Sequence, residues 1–111
     1  MESILTSIKK MLGITEEYTH FDADIIMHIN TVFADLHLLG VGPDECFSIE
    51  GDGAIWDEFI PYDDKRFSSV KTYVYQRVRL LFDPPASSAV MDSMQRQIDK
   101  FEWTLNVIAE S

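Results

Sequence analysis

The chain has 111 residues and a formal net charge of −10, with 19 acidic residues against nine lysines and arginines. This length suits one domain (1–111) with one core, and a hydrophobic content of 46% excludes a wholly disordered chain. The negative charge excludes nucleic-acid binding through a basic patch. The apolar runs are far shorter than the ~20 residues of a membrane-spanning helix. Because Glu2 stands where a signal peptide carries basic charge, we predict a cytosolic protein without membrane contact.

Apolar residues recur at helical spacing in the first third of the chain. Residues 3–12 form a short amphipathic pattern that ends at Gly13. After a polar connector, a second helix is predicted over residues 22–39, with Asp22 as its N-cap and Gly40 as its stop. Its apolar stripe predicts the centre of the core and consists of Ile25, Ile29, Val32 and Leu36.

The middle of the chain is acidic and irregular. Residues 22–67 carry eleven acidic residues against two basic ones, and most of these acids lie in the segment 41–67. Gly51 and Gly53 favour turns, so residues 54–56 are read as the returning strand of a small hairpin. The alternative is a single helical turn that starts at Trp56 and ends before Pro61. We expect Phe47, Ile49 and Trp56 to anchor this segment, and the lone cysteine, Cys46, to be a small buried hydrophobe.

Two further helices are predicted after the acidic middle. One starts after Ser68 or Ser69, runs to Phe82 before "DPP", and turns an apolar face to the core (Val70, Tyr73, Val74, Val78 and Leu81). The last covers residues 89–109 behind a serine cap, with a seam of Val90, Met94, Ile98, Phe101, Leu105 and Ile108. The predicted fold is therefore mainly α, a compact bundle of about four helices with a short irregular or β-hairpin insertion around residues 46–60.

Three kinds of functional site were tested against the residue spacing. A calcium loop fails because the third or fifth ligand position falls on Ala54 or Trp56. His20, Asp24 and His28 have helical spacing for a metal, but His20 precedes the predicted start of the second helix. No nucleophile, phosphate-loop or carboxylate-pair motif is present. We therefore predict no catalytic residue, no metal site and no cofactor.

Two surfaces remain as candidate sites. The first is an acidic lumen or docking face made of Asp44, Glu45, Glu50, Asp52, Asp57, Glu58, Asp63 and Asp64. The second is a partner or oligomer interface, because apolar residues off the last seam exceed what one small core can cover, and because two arginines suit salt bridges between subunits. It consists of Met91, Trp103, Val107, Arg77 and Arg79.

The order of these parts resembles the small head-tail connector proteins of long-tailed bacteriophages. The resemblance rests on "FDADIIMHINTVFADLHLLGVG" and on "VKTYVYQRVRLLFDPP", and it spans nearly the whole chain. It implies a helical structural subunit that forms a ring under the portal protein, assembles in the bacterial host cytoplasm and resides in the virion neck. A tail or stopper protein docks below, and DNA passes through without sequence-specific contact. The resemblance implies no catalysis and no cofactor.

A second hypothesis stays open at this point. A small acidic binding module, such as an inhibitor that mimics DNA, would present carboxylates in place of phosphates to a basic protein. Both hypotheses predict an acidic helical protein without an active site. They differ in assembly, since the connector forms rings and the mimic is a monomer or a dimer.

Overall fold

A computed structural model describes residues 2–110, with side-chain burial described as far as Val107. These residues form five α-helices and no strand, which confirms the mainly α prediction. The helices are α1 (Ile4–Met11), α2 (Asp22–Leu38), α3 (Trp56–Phe59), α4 (Phe67–Phe82) and α5 (Ser88–Glu110). The hairpin prediction is wrong: the described insertion holds the helical turn α3, and its one β-bridge joins Ile55 to Ser3. Residues 54–56 pair with the start of the chain rather than with residues 47–49.

A buried lysine ties α1 to the start of α2. Lys9 is 2% exposed, and its ammonium lies 2.8 Å from the carboxylate of Asp22. The same group donates to the backbone carbonyls of Glu16 and Tyr18, at 3.0 and 2.7 Å. A buried charge is tolerated only with such partners, so Lys9 organises the connector between the two helices. The prediction that Asp22 is the N-cap of α2 is wrong: Phe21 occupies that position. Asp22 is the first helical residue and the ion-pair partner of Lys9.

Helix α2 is the centre of the core, as its apolar stripe predicts. The side chains of Ile25, Ile29, Val32 and Leu36 are fully buried. The side of α2 that faces away from solvent packs against the buried face of α4, and α1 contacts both helices. Helix α5 lies on α4, where the rings of Tyr73 and Phe101 are 5.0 Å apart.

Some ends of the predicted apolar faces are exposed. Leu81 is 48% exposed because the last turn of α4 directs its neighbours to the core instead, and Phe82 packs against Phe21 at 5.3 Å. In the α5 seam, Met94, Ile98 and Leu105 are buried, whereas Val90 is 47% exposed. Ile108, the last position of the seam, lies outside the residues whose side chains are described.

The acidic segment, defined as residues 41–67, begins with a glycine that has a steric role. Gly42 has a φ of +99°, and a Cβ atom there would lie 2.6 Å from Cε1 of Phe59. Gly40 has a similar φ of +83°, but a Cβ atom there would meet nothing within 4 Å. A side chain at Gly40 would therefore meet only the strain of the left-handed backbone, whereas one at Gly42 would meet that strain and a clash with Phe59.

Replacing Gly42 with Ala should lower the free energy of unfolding more than replacing Gly40 with Ala. Both variants pay about 1 kcal/mol for the left-handed backbone, and Gly42→Ala adds about 1–3 kcal/mol because Phe59 must shift in a packed core. Urea denaturation of both variants measures the difference. Equal losses would show that Phe59 moves without cost and that the close approach is unimportant.

Candidate functional site

The acidic segment is anchored to α2 through a cluster of aromatic rings. Phe33 of α2 is fully buried, and its ring centroid lies 4.2 Å from that of Phe59, 5.5 Å from Phe47 and 6.3 Å from Trp56. Ile49 is buried beside them. Phe47, Ile49 and Trp56 thus anchor the segment as predicted. Phe47 and Ile49 both face α2, so their chain neighbours Cys46 and Ser48 point outward and are exposed, and the prediction of a buried cysteine is wrong.

Polar contacts hold the same segment at defined points. The Asn30 side chain accepts a hydrogen bond from the Ile49 N–H at 2.8 Å and donates to the Ile49 carbonyl at 2.9 Å. In this way one amide replaces the pairing that a neighbouring strand would supply. The Trp56 indole N–H donates to the Ser7 hydroxyl at 2.7 Å, which in turn donates to the Ile4 carbonyl at 3.0 Å. The segment is therefore fixed to α1 and α2 although little of it is helical.

Neither Asn30 nor Ser7 was identified from the sequence. Each is a polar residue at helical spacing among core positions: Asn30 lies between Ile26 and Phe33, and Ser7 follows Ile4. That placement signals a buried polar partner, but it does not reveal which part of the chain supplies it.

Seven of the eight residues of the predicted acidic face are solvent-exposed, and no basic side chain of residues 2–107 lies within ion-pair distance of these seven. The exposed members are Asp44, Glu45, Glu50, Asp52, Asp57, Glu58 and Asp63. Two of them support the local backbone, since Asp57 accepts from the Tyr62 N–H at 3.4 Å and Glu58 from the Ile55 N–H at 3.2 Å. The segment therefore presents a surface of one charge from a fixed backbone.

Asp64 differs from the rest of the predicted face. It is half-buried and accepts hydrogen bonds from the backbone and the guanidinium of Arg66, the shortest at 2.8 Å. The guanidinium, followed by the backbone N–H, holds the pKa of Asp64 below its usual range. This carboxylate orients Arg66 just before α4, and it is less available to a partner than the exposed carboxylates.

The remaining titratable side chains do not assemble into a metal site. Within the described part of the chain, no three His, Cys, Asp or Glu side chains are grouped so that they could hold an ion. His20 precedes α2 and stacks on Tyr18 at 6.0 Å, with Phe21 at 4.8 Å on its edge. His28 faces Phe82 at 6.4 Å. The histidines therefore belong to an aromatic cluster between the connector and the end of α4.

The outer face of α5 carries exposed apolar side chains. Trp103 is 67% exposed and Val107 43%, whereas Met91, which is 38% exposed, lies on the seam side near the start of the helix. At 100° per residue, Trp103 and Val107 point away from the buried seam of Ile98 and Leu105. The protomer leaves this face uncovered, and its role as an interface stays a prediction.

The two arginines of the predicted interface have partners within the protomer. Arg77 donates to the Asp35 carboxylate at 2.6 Å and to the Tyr73 hydroxyl at 2.7 Å, and Tyr73 donates to Glu102 at 2.7 Å. This network joins α2, α4 and α5. Arg79 donates to the Tyr75 hydroxyl at 2.9 Å. Arg77 is thus a bridge between helices, and the proposed inter-subunit role of both arginines stays a prediction.

Asn30→Ala should loosen the acidic segment selectively. The two hydrogen bonds to Ile49 would be lost, which lowers the free energy of unfolding by about 1–2 kcal/mol and accelerates hydrogen exchange at the Ile49 amide. The control is Thr31→Ala, whose hydroxyl bonds only to the Met27 carbonyl of its own helix. Unchanged hydrogen exchange at the Ile49 amide in Asn30→Ala would show that the two Asn30–Ile49 hydrogen bonds do not hold the segment.

The Tyr73 network should make stability fall at alkaline pH. Burial, and then the hydrogen bond to Glu102, raise the pKa of Tyr73. An unfolded tyrosine releases its proton near about pH 10, so above that pH the folded state binds more protons and the free energy of unfolding declines. Below about pH 10 the contribution of Tyr73 to the free energy of unfolding is fully present.

Tyr73→Phe should lose about 1–2 kcal/mol at neutral pH and show a shallower alkaline decline than the wild type. Denaturant unfolding across the alkaline range measures both effects. Tyr62→Phe is the control, since Tyr62 is 69% exposed. An alkaline slope that does not change in Tyr73→Phe would contradict the assignment.

Comparison with known proteins places the chain in a family. A family model described as phage connector protein matches residues 4–111. No curated protein and no solved structure matches the chain. Among the described residues, none of the helices has the length and apolar character needed to cross a bilayer. The resemblance to head-tail connectors is confirmed, and the chain belongs to the phage connector protein family.

Proposed function

We propose that the chain is a structural subunit of a ring that joins the portal protein to the tail or stopper protein in a phage neck. The observation that supports this most directly is the rigidly anchored, exposed acidic segment on a chain of the phage connector family. The subunit needs no catalytic residue and no cofactor for this role. It assembles in the bacterial host cytoplasm and ends in the virion neck.

The acidic segment suits a wall that DNA passes. Cations on a protein bind duplex DNA by releasing its counterions, and each such contact would have to break during passage. Exposed carboxylates act in the opposite direction, because they repel phosphates over about a Debye length, ~8 Å at physiological salt. Anchoring by Asn30 and Phe33 keeps Glu50 and Asp52 from collapsing onto basic groups elsewhere. The same face also suits docking to a basic protein in the neck.

The outer face of α5 supplies a complementary contact for neighbours. Exposed tryptophan and methionine are enriched at the centres of protein interfaces, where they bury large area at small entropic cost. Trp103 and Val107 therefore form the patch that we assign to contact with another neck protein or a neighbouring copy, and Met91, about 18 Å nearer the start of α5 and on its seam side, would make a separate contact.

The competing function is a small acidic module that occupies a basic protein in place of DNA. The fixed display of unpaired carboxylates favours it as well. The two functions separate by assembly state. A mimic acts as a monomer or dimer, whereas a connector forms rings by itself at high concentration or on a portal ring.

Mass measurement in solution, combined with electron microscopy of the same sample with and without portal protein, tests the connector proposal. We expect rings for the wild type. Trp103→Ser should weaken ring formation by about tenfold or more, because an interface tryptophan often contributes over 1.4 kcal/mol. Leu38→Ser is the control, since Leu38 is 83% exposed and belongs to α2 rather than to α5.

Stability should be nearly equal in both variants, within about 0.5 kcal/mol, because both side chains are exposed. A wild-type protein that stays monomeric and also fails to bind the portal ring would sink the connector proposal. Rings that form equally well with Trp103→Ser would remove only the role of the α5 face.

A further inference from the structure

A groove on the surface has a charge opposite to that of the exposed carboxylates of residues 44–63. It lies between the start of α4 and the second half of α5 and has a volume of about 340 Å3. Lys65, Arg66 and Lys100 line it over an apolar floor formed by Phe101 and Leu105. No carboxylate is among its lining residues, although the chain has 19 acidic residues. We call this surface the basic groove.

Two of its cations lack an ion-pair partner among the described residues. Lys65 and Lys100 are exposed, and in the described part of the chain neither lies within 4.0 Å of a carboxylate. Arg66 does have one, at 3.1 Å from Asp64. Among the other cations, Lys9, Lys71 and Arg77 contact acidic side chains. Lys10, Arg79 and Arg96 have none within 4.0 Å in the described part of the chain, so what distinguishes the groove is that its two unpaired lysines lie together. The unpaired lysines of the groove are therefore open to an anionic occupant.

The protomer cannot bring its own acidic residues 44–52 to the groove. That part of the acidic segment is held against α2 by the contacts of Phe47 and Ile49, whereas the groove is built by α4, α5 and residues 65–66. In a closed ring each subunit offers two different surfaces to its two neighbours. Two basic grooves facing each other would repel, as would two acidic segments, so complementary charge requires one of each.

We propose that the basic groove of one copy receives residues 43–46 of a second copy, as the heterologous contact of the ring, while the exposed carboxylates from Glu50 onward stay free at the wall that DNA passes. This rests on the proposed function. Asp44 and Glu45 pair with Lys65 and Lys100, and the exposed Pro43 and Cys46 beside them cover part of the apolar floor. A protein segment with both charged and apolar side chains fits this lining better than a phosphate backbone, which the net charge of −10 repels.

Charge reversal on each side of the contact tests the proposal. The groove variant is K65E/K100E, the segment variant is D44K/E45K, and all four residues are exposed, so circular dichroism should report unchanged folds. The control K10E/R96E makes the same change in net charge as the groove variant K65E/K100E, at exposed positions that do not line the groove. Ring assembly is followed by sedimentation velocity at low salt, alone and on portal rings.

We expect each reversed variant alone to need about tenfold more protein than K10E/R96E for assembly. An equimolar mixture of the two reversed variants should assemble again, because each groove then meets a segment of opposite charge. The quadruple variant K65E/K100E/D44K/E45K should also assemble.

Each contrary outcome has a definite meaning. If the wild type forms no assembly, the proposed function fails and this contact fails with it. If the wild type and K65E/K100E assemble equally well, only this contact is wrong. If neither the mixture nor the quadruple variant recovers, and K65E/K100E loses fluorescence anisotropy with duplex DNA that the wild type retains, the groove takes a nucleic acid and the proposal is overturned.

Discussion

The burial of Phe33 is the contact on which the rest of the molecule depends. Its ring is fully buried in the middle of α2 and meets the rings of Phe47, Trp56 and Phe59. The acidic segment has no sheet and only one turn of helix, so its own backbone cannot hold it in place. Removing such a buried ring typically costs about 3–5 kcal/mol, which is a large part of the stability of a small domain. Here the same loss would also release the charged surface.

That arrangement resolves a conflict within the chain. Residues 22–67 carry a charge of −9, and their mutual repulsion favours expansion. Apolar anchors and the amide of Asn30 act against this repulsion, and neither weakens when salt or pH changes the charges. The carboxylates can therefore stay exposed and unpaired without opening the fold. Neutralising them inside the protomer would have removed the property that the segment presents.

Positive charge is used in two different ways. Lys9 and Arg77 are held within the protomer, where they join α1 to α2 and α4 to α2. Lys65 and Lys100 remain at the surface in a groove without acidic lining. The net charge of the chain does not reveal this difference between paired and exposed cations. A few cations in one groove can attract an anionic group even though the chain as a whole is negative. For this chain the distribution of charge therefore carries more information than its sum.

The sequence by itself determined the four longer helices, the core stripe of α2 and the family, because helical periodicity and an ordered series of elements are local or linear properties. It also placed the acidic residues at the surface, where unpaired carboxylates have to lie. Only the tertiary structure decided that Ile55 pairs with Ser3, that Asn30 holds Ile49, and that Cys46 faces outward. It alone brought Lys65 and Lys100 to one groove. These contacts join residues far apart in the chain, and no local pattern specifies which distant partner satisfies a given hydrogen bond or charge.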